Sequence, residues 1–251
     1  MLFCAMISSM KIKVISWNIW GGKHLDDLIS YLKNAEADVI ALQESIKDED
    51  GGNTALTIAQ ALGYECVSEH SVQMSSKWSG PEREKETTIT FGNAILSKYK
   101  IINSSIHKLS EKRVAIQADV QIGKSILHVF GLHLMHQHIH GADEKRDLRQ
   151  KEQTDNLLKI IPREKAIVMG DFNSVSGSYP VKKMEGVFKN SENGTISPTW
   201  SVYPEGCDIC NPKLEAKFDY IFTTSDIITD SFVVGNSKAS DHLPVIASIE
   251  I

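Results

Sequence analysis

KIKVISWNIWGGKHLDDLISYLKNAEADVIALQE, residues 11–44, sets the class of the fold. Lys11 to Trp17 reads as a strand that runs directly into Asn18, and Gly21-Gly22 breaks it. Leu25, Leu28, Ile29 and Leu32 then recur at helical spacing as one apolar stripe. Asp38 to Gln43 is a short apolar strand that ends in Glu44. The order is strand–helix–strand, with polar side chains at the strand ends, where open α/β sheets place their ligand sites.

Working outward, Ala55, Ile58, Ala59 and Leu62 predict a second amphipathic helix, stopped by Gly63. Residues 70–86 are polar and mixed in charge and read as an exposed loop. Strands follow over 87–97, 113–122 and 125–134; the last is nearly all apolar from Ile126 on, which predicts burial on both faces. A polar helix fits 143–161, stopped by Pro162, and Ala166 to Met169 is a buried strand ending at Gly170-Asp171. Residues 190–215 read as loop; Phe218 to Thr223, Ile227 to Val234 and Leu243 to Ile249 read as closing strands. Strict βαβ alternation fails in the middle and at the end, so two packed sheets flanked by helices fit better than one parallel sheet. With no repeat, low-complexity segment or linker, 11–251 reads as one domain and 1–10 as an extended or disordered start.

A chain of 251 residues can bury a sizeable core, and 24% charged with 41% hydrophobic residues is ordinary globular composition. Lys plus Arg is 27 and Asp plus Glu 32, a net charge of −5, which excludes a broadly basic coat but not a local basic groove. No apolar run is long enough to span a bilayer. Met1 to Ile7 is apolar but short for a signal core and lacks a basic flank. Cys4, Cys66, Cys207 and Cys210 are too scattered for a disulfide scaffold, and these features together favour a cytoplasmic location. The CxxC at Cys207 and Cys210 has no second pair to complete a zinc site, so a loop with reduced thiols is the leading reading and zinc the alternative.

Six polar groups share one feature: each stands where an apolar strand ends. They are Trp17-Asn18, Gln43-Glu44, His133, Gly170-Asp171-Phe172-Asn173, Asp219 and Asp241-His242. A lone Asp at a strand end is ordinarily a cap or a turn residue. Together the groups supply hard oxygen donors, which suit Mg²⁺, Mn²⁺ or Ca²⁺, and imidazoles that a neighbouring Asp can hold as acid or base.

The stretches ISWNIWGG (15–22), DVIALQE (38–44), GNAILSKY (92–99), GLHL (131–134), MGDFNS (169–174), FDYIF (218–222) and SDHLPV (240–245) carry a resemblance. The sequence resembles the endonuclease/exonuclease/phosphatase superfamily, which includes pancreatic-type deoxyribonucleases, abasic-site endonucleases, neutral sphingomyelinases, inositol-phosphate phosphatases and poly(A) deadenylases. The resemblance implies a four-layered αββα sandwich, two packed mixed or antiparallel sheets flanked by helices. It also implies a Mg²⁺ site, with Mn²⁺ as a substitute, at one end of the sheets. Glu44 would be the principal ligand with Asp241 close by, and Asn18 would support the metal or a phosphate oxygen. Asp171 would position or activate water, Asn173 bind phosphate, Asp219 pair with His242, and His133 face the phosphate from the other side. Arg113 matches a phosphate-binding arginine of the pancreatic-type enzymes only loosely; a surface arginine is the leading reading and a substrate-binding one the alternative.

Other features compete for a role. His136, His138 and His140 alternate after His133, as a second metal site, a substrate contact or plain loop residues. Lys77, Trp78, Arg83 and Lys85 could touch nucleic acid, but Glu82, Glu84 and Glu86 dilute the charge. Arg149 reads as solvated and Trp200 as a core residue. Trp20 stands where abasic-site endonucleases carry an acid, and His133 where they carry a tyrosine, which counts against abasic-site repair. The resulting expectation is a Mg²⁺-dependent phosphodiesterase acting on nucleic acid by in-line water attack. The alternatives are a sphingomyelinase-like or small-molecule phosphoester hydrolase, or a non-catalytic binding module on the same fold. No protein partner is inferred.

Overall fold

The computed structural model describes residues 9–75, 88–136, 144–194, 196–203 and 216–251. The Cys207/Cys210 pair, the Lys77–Glu86 basic–aromatic segment, His138, His140 and the apolar Met1–Ile7 lie outside those residues. The strands are β1 (Lys11–Asn18), β2 (Val39–Asp48), β3 (Glu65–Ser75), β4 (Thr88–Ser97), β5 (Ile101–Lys108), β6 (Val114–Ile122), β7 (Ser125–His133), β8 (Ala166–Asp171), β9 (Lys189–Asn190), β10 (Asp219–Thr223), β11 (Ile228–Val234) and β12 (Val245–Glu250). The helices are α1 (Leu25–Ala35), α2 (Thr54–Leu62), α3 (Glu144–Ile160) and α4 (Tyr179–Glu185).

Two six-stranded sheets form, ordered β11-β12-β1-β2-β4-β3 and β5-β6-β7-β8-β10-β9. In each, one central pair is parallel, β1 with β2 and β7 with β8, and the other pairs are antiparallel. The period-two alternation of the strands builds three apolar layers. Between the sheets lie Ile12, Val14, Val39, Ala41 and Ile95 against Ile116, Ala118, Val129, Ile167 and Ile221. Ile15, Trp17, Ile40 and Leu42 face outward and bury Leu28 and Leu32 of α1 and Ala55 and Ile58 of α2. Phe130, Leu132, Val168 and Phe222 do the same for Leu157 of α3 and Val181 and Met184 of α4. The four-layered αββα sandwich is therefore present.

Some local expectations are corrected. β3 runs to Ser75, through the start of the predicted 70–86 loop; it pairs with β4 along its length and so needs no apolar run of its own. β5 is an edge strand whose residues are mostly exposed, so its apolar signal is weak. α4 has only seven residues. β7 is buried throughout only from Val129 onward; Ile126 is exposed. Two close approaches at the rim require glycine. A Cβ on Gly170 would stand 2.2 Å from the Leu132 carbonyl oxygen, and one on Gly92 would stand 1.9 Å from that of Glu69.

Candidate active site

Sheet register brings the predicted residues together. His133 ends β7 opposite Asp171 at the end of β8, and Asp219 starts β10 opposite Asp171 from the other side. One row across three strands thus carries imidazole, carboxylate and carboxylate. On the facing sheet Asn18 ends β1, beside Gln43 of β2. The β2–β4 register shifts between Leu42 and Ser45, and Glu44 takes a left-handed φ of 57° there. A bulge of this kind bends the strand and re-aims a side chain, here the carboxylate. The turn before β12 brings in Asp241 and His242, tied down because Ser240 Oγ donates to the Asn18 carbonyl at 2.7 Å and Trp17 Nε1 to the His242 carbonyl at 2.8 Å.

The polar groups are mutually bonded and largely buried. Asn18 Nδ2 donates to Asp171 Oδ2 at 3.1 Å, and its Oδ1 accepts from Trp20 N at 3.1 Å. Asn173 N donates to Asp171 Oδ1 at 2.7 Å. Asn173 Nδ2 reaches His133 Nε2 at 2.8 Å and the Leu134 carbonyl at 3.1 Å. The Leu134 carbonyl accepts only, which fixes the amide orientation and makes His133 Nε2 an acceptor in the neutral ring. His242 Nδ1 lies 2.8 Å from Asp219 Oδ2, and its Nε2 lies 3.8 Å from Asp171 Oδ2. His133 Nε2 lies 3.4 Å from the same Asp171 oxygen.

Burial and neighbouring charge split the titrations. Burial pushes Asp171 up to about 7, aided by Asp219 and opposed by His242. Burial alone would lower His242, but Asp219 and Asp171 outweigh it and push it up to about 10. His133 falls well below its ordinary value through burial, then through the charges of Arg113 and His242. Burial also raises Glu44, and the Asp241 carboxylate adds to this against His242 and Asn18. The site therefore holds a cationic His242, a neutral His133 and an Asp171 poised between its two states.

Arg113 is half-buried, which corrects the leading expectation of a surface arginine. Its charge interacts with Glu44 and Asp171, and its Nε is buried with no hydrogen-bond partner. His136 is close enough for its charge to depress His133. Arg149 is exposed, as expected.

Which groups fit a metal follows from their chemistry. Asp171, Asp219 and His242 have ligand atoms all within 4.8 Å of one another. Both nitrogens of His242 face carboxylates, however, and a cationic imidazole has no lone pair to offer a metal. Glu44, Asp241 and the Asn18 amide oxygen are hard donors, and Glu44 is strained as an anion by burial and by Asp241. A divalent cation relieves that strain, so this second set fits better.

Two bracing residues carried little sequence signal. Gln150 Nε2 reaches the carbonyls of Met135, Phe172 and Asn173 at 2.5, 3.3 and 3.1 Å, while Gln150 Oε1 accepts from Ser174 Oγ at 3.0 Å. Gln153 Oε1 accepts from Met135 N at 2.8 Å, and its Nε2 donates to Ser110 Oγ at 3.0 Å. Two glutamines three apart on one face of α3 were the available clue, hidden among its charges. Trp200 is half-buried, and its indole N–H meets Asp241 rather than only filling the core.

Comparison with known proteins agrees with this architecture. The model of the Endonuclease/Exonuclease/phosphatase family matches residues 15–242. No curated protein sequence gives a match. Among solved structures, an endonuclease/exonuclease/phosphatase family protein from Leptotrichia buccalis superposes with TM-score 0.72 at 17% identity, covering 96% of this chain and 100% of that one. The human Nocturnin catalytic domain with bound sulfate anion gives 0.71 at 17% identity, over 95% and 94%. A mannosyl-6-phosphatase from Bacteroides thetaiotaomicron gives 0.63 at 16%, over 95% and 99%. No helix among the described residues is long and apolar enough to cross a membrane.

Proposed function

We propose that this chain, which belongs to the endonuclease/exonuclease/phosphatase family, is a divalent-metal-dependent phosphoester hydrolase, with the phosphodiester of nucleic acid as its leading substrate. The observation that carries this reading is the row His133–Asp171–Asp219, closed by His242 and set beside the Glu44–Asp241 pair. Glu44 and Asp241, with the second lone pair of Asn18 Oδ1, would hold Mg²⁺ or Mn²⁺. That cation, when bound, would neutralise charge on the non-bridging phosphate oxygens.

The remaining work falls to the chain's own groups. Asp171, raised to about 7, a value suited to a base near neutral pH, accepts the proton of the attacking water as the water oxygen bonds phosphorus. The P–O bond to the alcohol breaks on the opposite side, and the leaving oxygen takes a proton from solvent. Asn18 and Asn173 bond its two oxygens and hold its orientation. Asp219 fixes the His242 ring and keeps it charged, and that charge faces the phosphate as negative charge grows on it. Arg113 brings its guanidinium charge to Glu44 and Asp171, where it attracts phosphate oxygens, while the two N–H bonds of the Asn173 amide, to His133 and the Leu134 carbonyl, hold the loop. His133 stays neutral beside them.

The test is Mg²⁺-dependent cleavage of end-labelled single- and double-stranded oligonucleotides, with identically purified His242→Ala as the control for contaminating nuclease. Cleavage by the wild type alone supports a nuclease, and the ladder separates endo- from exo-action. The net charge of −5 favours a second reading, a small phosphoester, because a polyanion gains little from an acidic surface. Inert oligonucleotides with turnover of small phosphoesters would select it. Turnover of neither, insensitive to chelator, would leave a binding module.

A further inference from the structure

Residues 199–202 are clipped between two parts of the site. Thr199 Oγ1 accepts from Phe218 N at 3.1 Å and from Asp219 N at 3.3 Å, and its carbonyl accepts from Leu243 N at 2.8 Å. Trp200 pairs its backbone with Ala216 in both directions, and Val202 N donates to the Asp241 carbonyl at 2.8 Å. The indole is held with ring centroids 5.4 Å from Phe218 and 6.2 Å from His242. From there Nε1 donates to Asp241 Oδ2 at 3.1 Å. Ser240 Oγ stands 3.3 Å from Asp241 Oδ1, but its single proton is directed to the Asn18 carbonyl at 2.7 Å. Trp200 is thus the directed side-chain donor to the Asp241 carboxylate among the described residues.

We infer that Trp200 is a positioning residue that fixes the rotation of the Asp241 carboxylate for a divalent cation, an inference that rests on Glu44 and Asp241 as the ligands. A carboxylate held by a rigid donor loses no torsional freedom when it binds, and the donor occupies one lone pair of Oδ2 while Oδ1 stays available. The indole is itself immobilised by the two rings, so the arrangement exists before any ligand arrives. Outer-shell partners of this kind commonly carry roughly 10–100-fold in metal affinity.

Trp200→Phe keeps a ring between Phe218 and His242, removes the N–H donor and loses part of the ring volume. Mn²⁺ binding is measured by electron paramagnetic resonance on the folded protein, beside Glu44→Gln and Asp241→Asn. The expected result is a Kd for Mn²⁺ raised roughly 10–100-fold in protein that stays folded at the assay temperature. Half-saturating Mg²⁺ rises to match, while kcat returns to the wild-type value at saturating metal. Unchanged Mn²⁺ affinity in Trp200→Phe, with affinity lost in the two ligand variants, overturns the inference, and so does a fall in kcat that metal cannot restore. Wild-type affinity in the two ligand variants would instead overturn the ligand assignment on which it rests. Should Trp200→Phe fail to fold, wild-type protein labelled with ¹⁵N at its four indoles decides. The Trp200 signal, assigned by substituting the other three, must shift as Mg²⁺ saturates; a signal that does not move overturns the inference.

Discussion

Gln150→Met isolates the brace beneath the site from the chemistry above it. Gln150 is fully buried in α3, and its amide serves three carbonyls and one hydroxyl across residues 135 and 172–174. Methionine has nearly the same length and volume, so the cavity contribution is small. What is lost is two N–H donors and one acceptor, with the partner groups left buried and unpaired. At about 1 kcal/mol for each of three hydrogen bonds, the variant should lose about 3 kcal/mol, more if the carbonyls stay dry. For a chain of this size that lowers the melting temperature by roughly 6–12 °C. The same carbonyls position Asn173, which holds a left-handed φ of 48° and bonds both Asp171 and His133. Displacing that loop by a fraction of an ångström should lower kcat roughly 10–100-fold. The assay is urea unfolding together with Mg²⁺-dependent hydrolysis of a chromogenic phosphodiester. Gln153→Met is the control: it releases Met135 N and Ser110 but touches neither Asn173 nor Asp171, so it should cost stability with little change in kcat. A Gln150→Met protein with less than about 1 kcal/mol lost and normal kcat would refute the brace.

Glu44→Gln should lose at least roughly 10³-fold in activity, since the carboxylate serves a charge-stabilising role. In chelator its melting temperature should stay level or rise, because burial and Asp241 already disfavour the Glu44 anion; a marked fall would assign Glu44 to the core instead. Arg113→Lys should lower kcat/KM roughly 10–100-fold and restore little relative to Arg113→Met, because an ammonium lacks the planar fork; full activity in the lysine variant would show that only charge matters there. Burial, helped by Lys47, lowers His70 from its ordinary value near 6.5 to about 4. The unfolded chain therefore takes up a proton first, and stability should fall as pH drops from about 6.5 towards 4 and be fully kept above that window. Urea midpoints across pH should show this slope in the wild type and a flatter one in His70→Gln; parallel curves would exclude His70 as the source.

The sandwich and most of the polar site were legible in the chain. Strand alternation fixes which face is apolar, and chemistry-bearing residues stand where apolar runs stop: Asn18, Glu44, His133, Asp171, Asp219 and His242. Those are local patterns, and local patterns are what a sequence displays. The misses share a different cause. β3 and β5 draw their order from neighbouring strands, so their own polar residues read as loop or are passed over.

Three further features depend on contacts between distant parts of the chain. Arg113 is half-buried, and its charge meets Glu44 and Asp171, which arrive from two other strands. Gln150 and Trp200 act through segments more than twenty residues away, on groups whose positions only packing sets. The protonation split is tertiary as well. Asp171 and His242 are ordinary residues in sequence, and become a raised acid and a retained cation only when the sheets desolvate them and register sets Asp219 beside both. The sequence by itself thus determined the layers and the inventory of reactive groups. The tertiary structure alone decided their burial, their charge and the residues that hold them in place, because those properties depend on distance and dielectric and not on order along the chain.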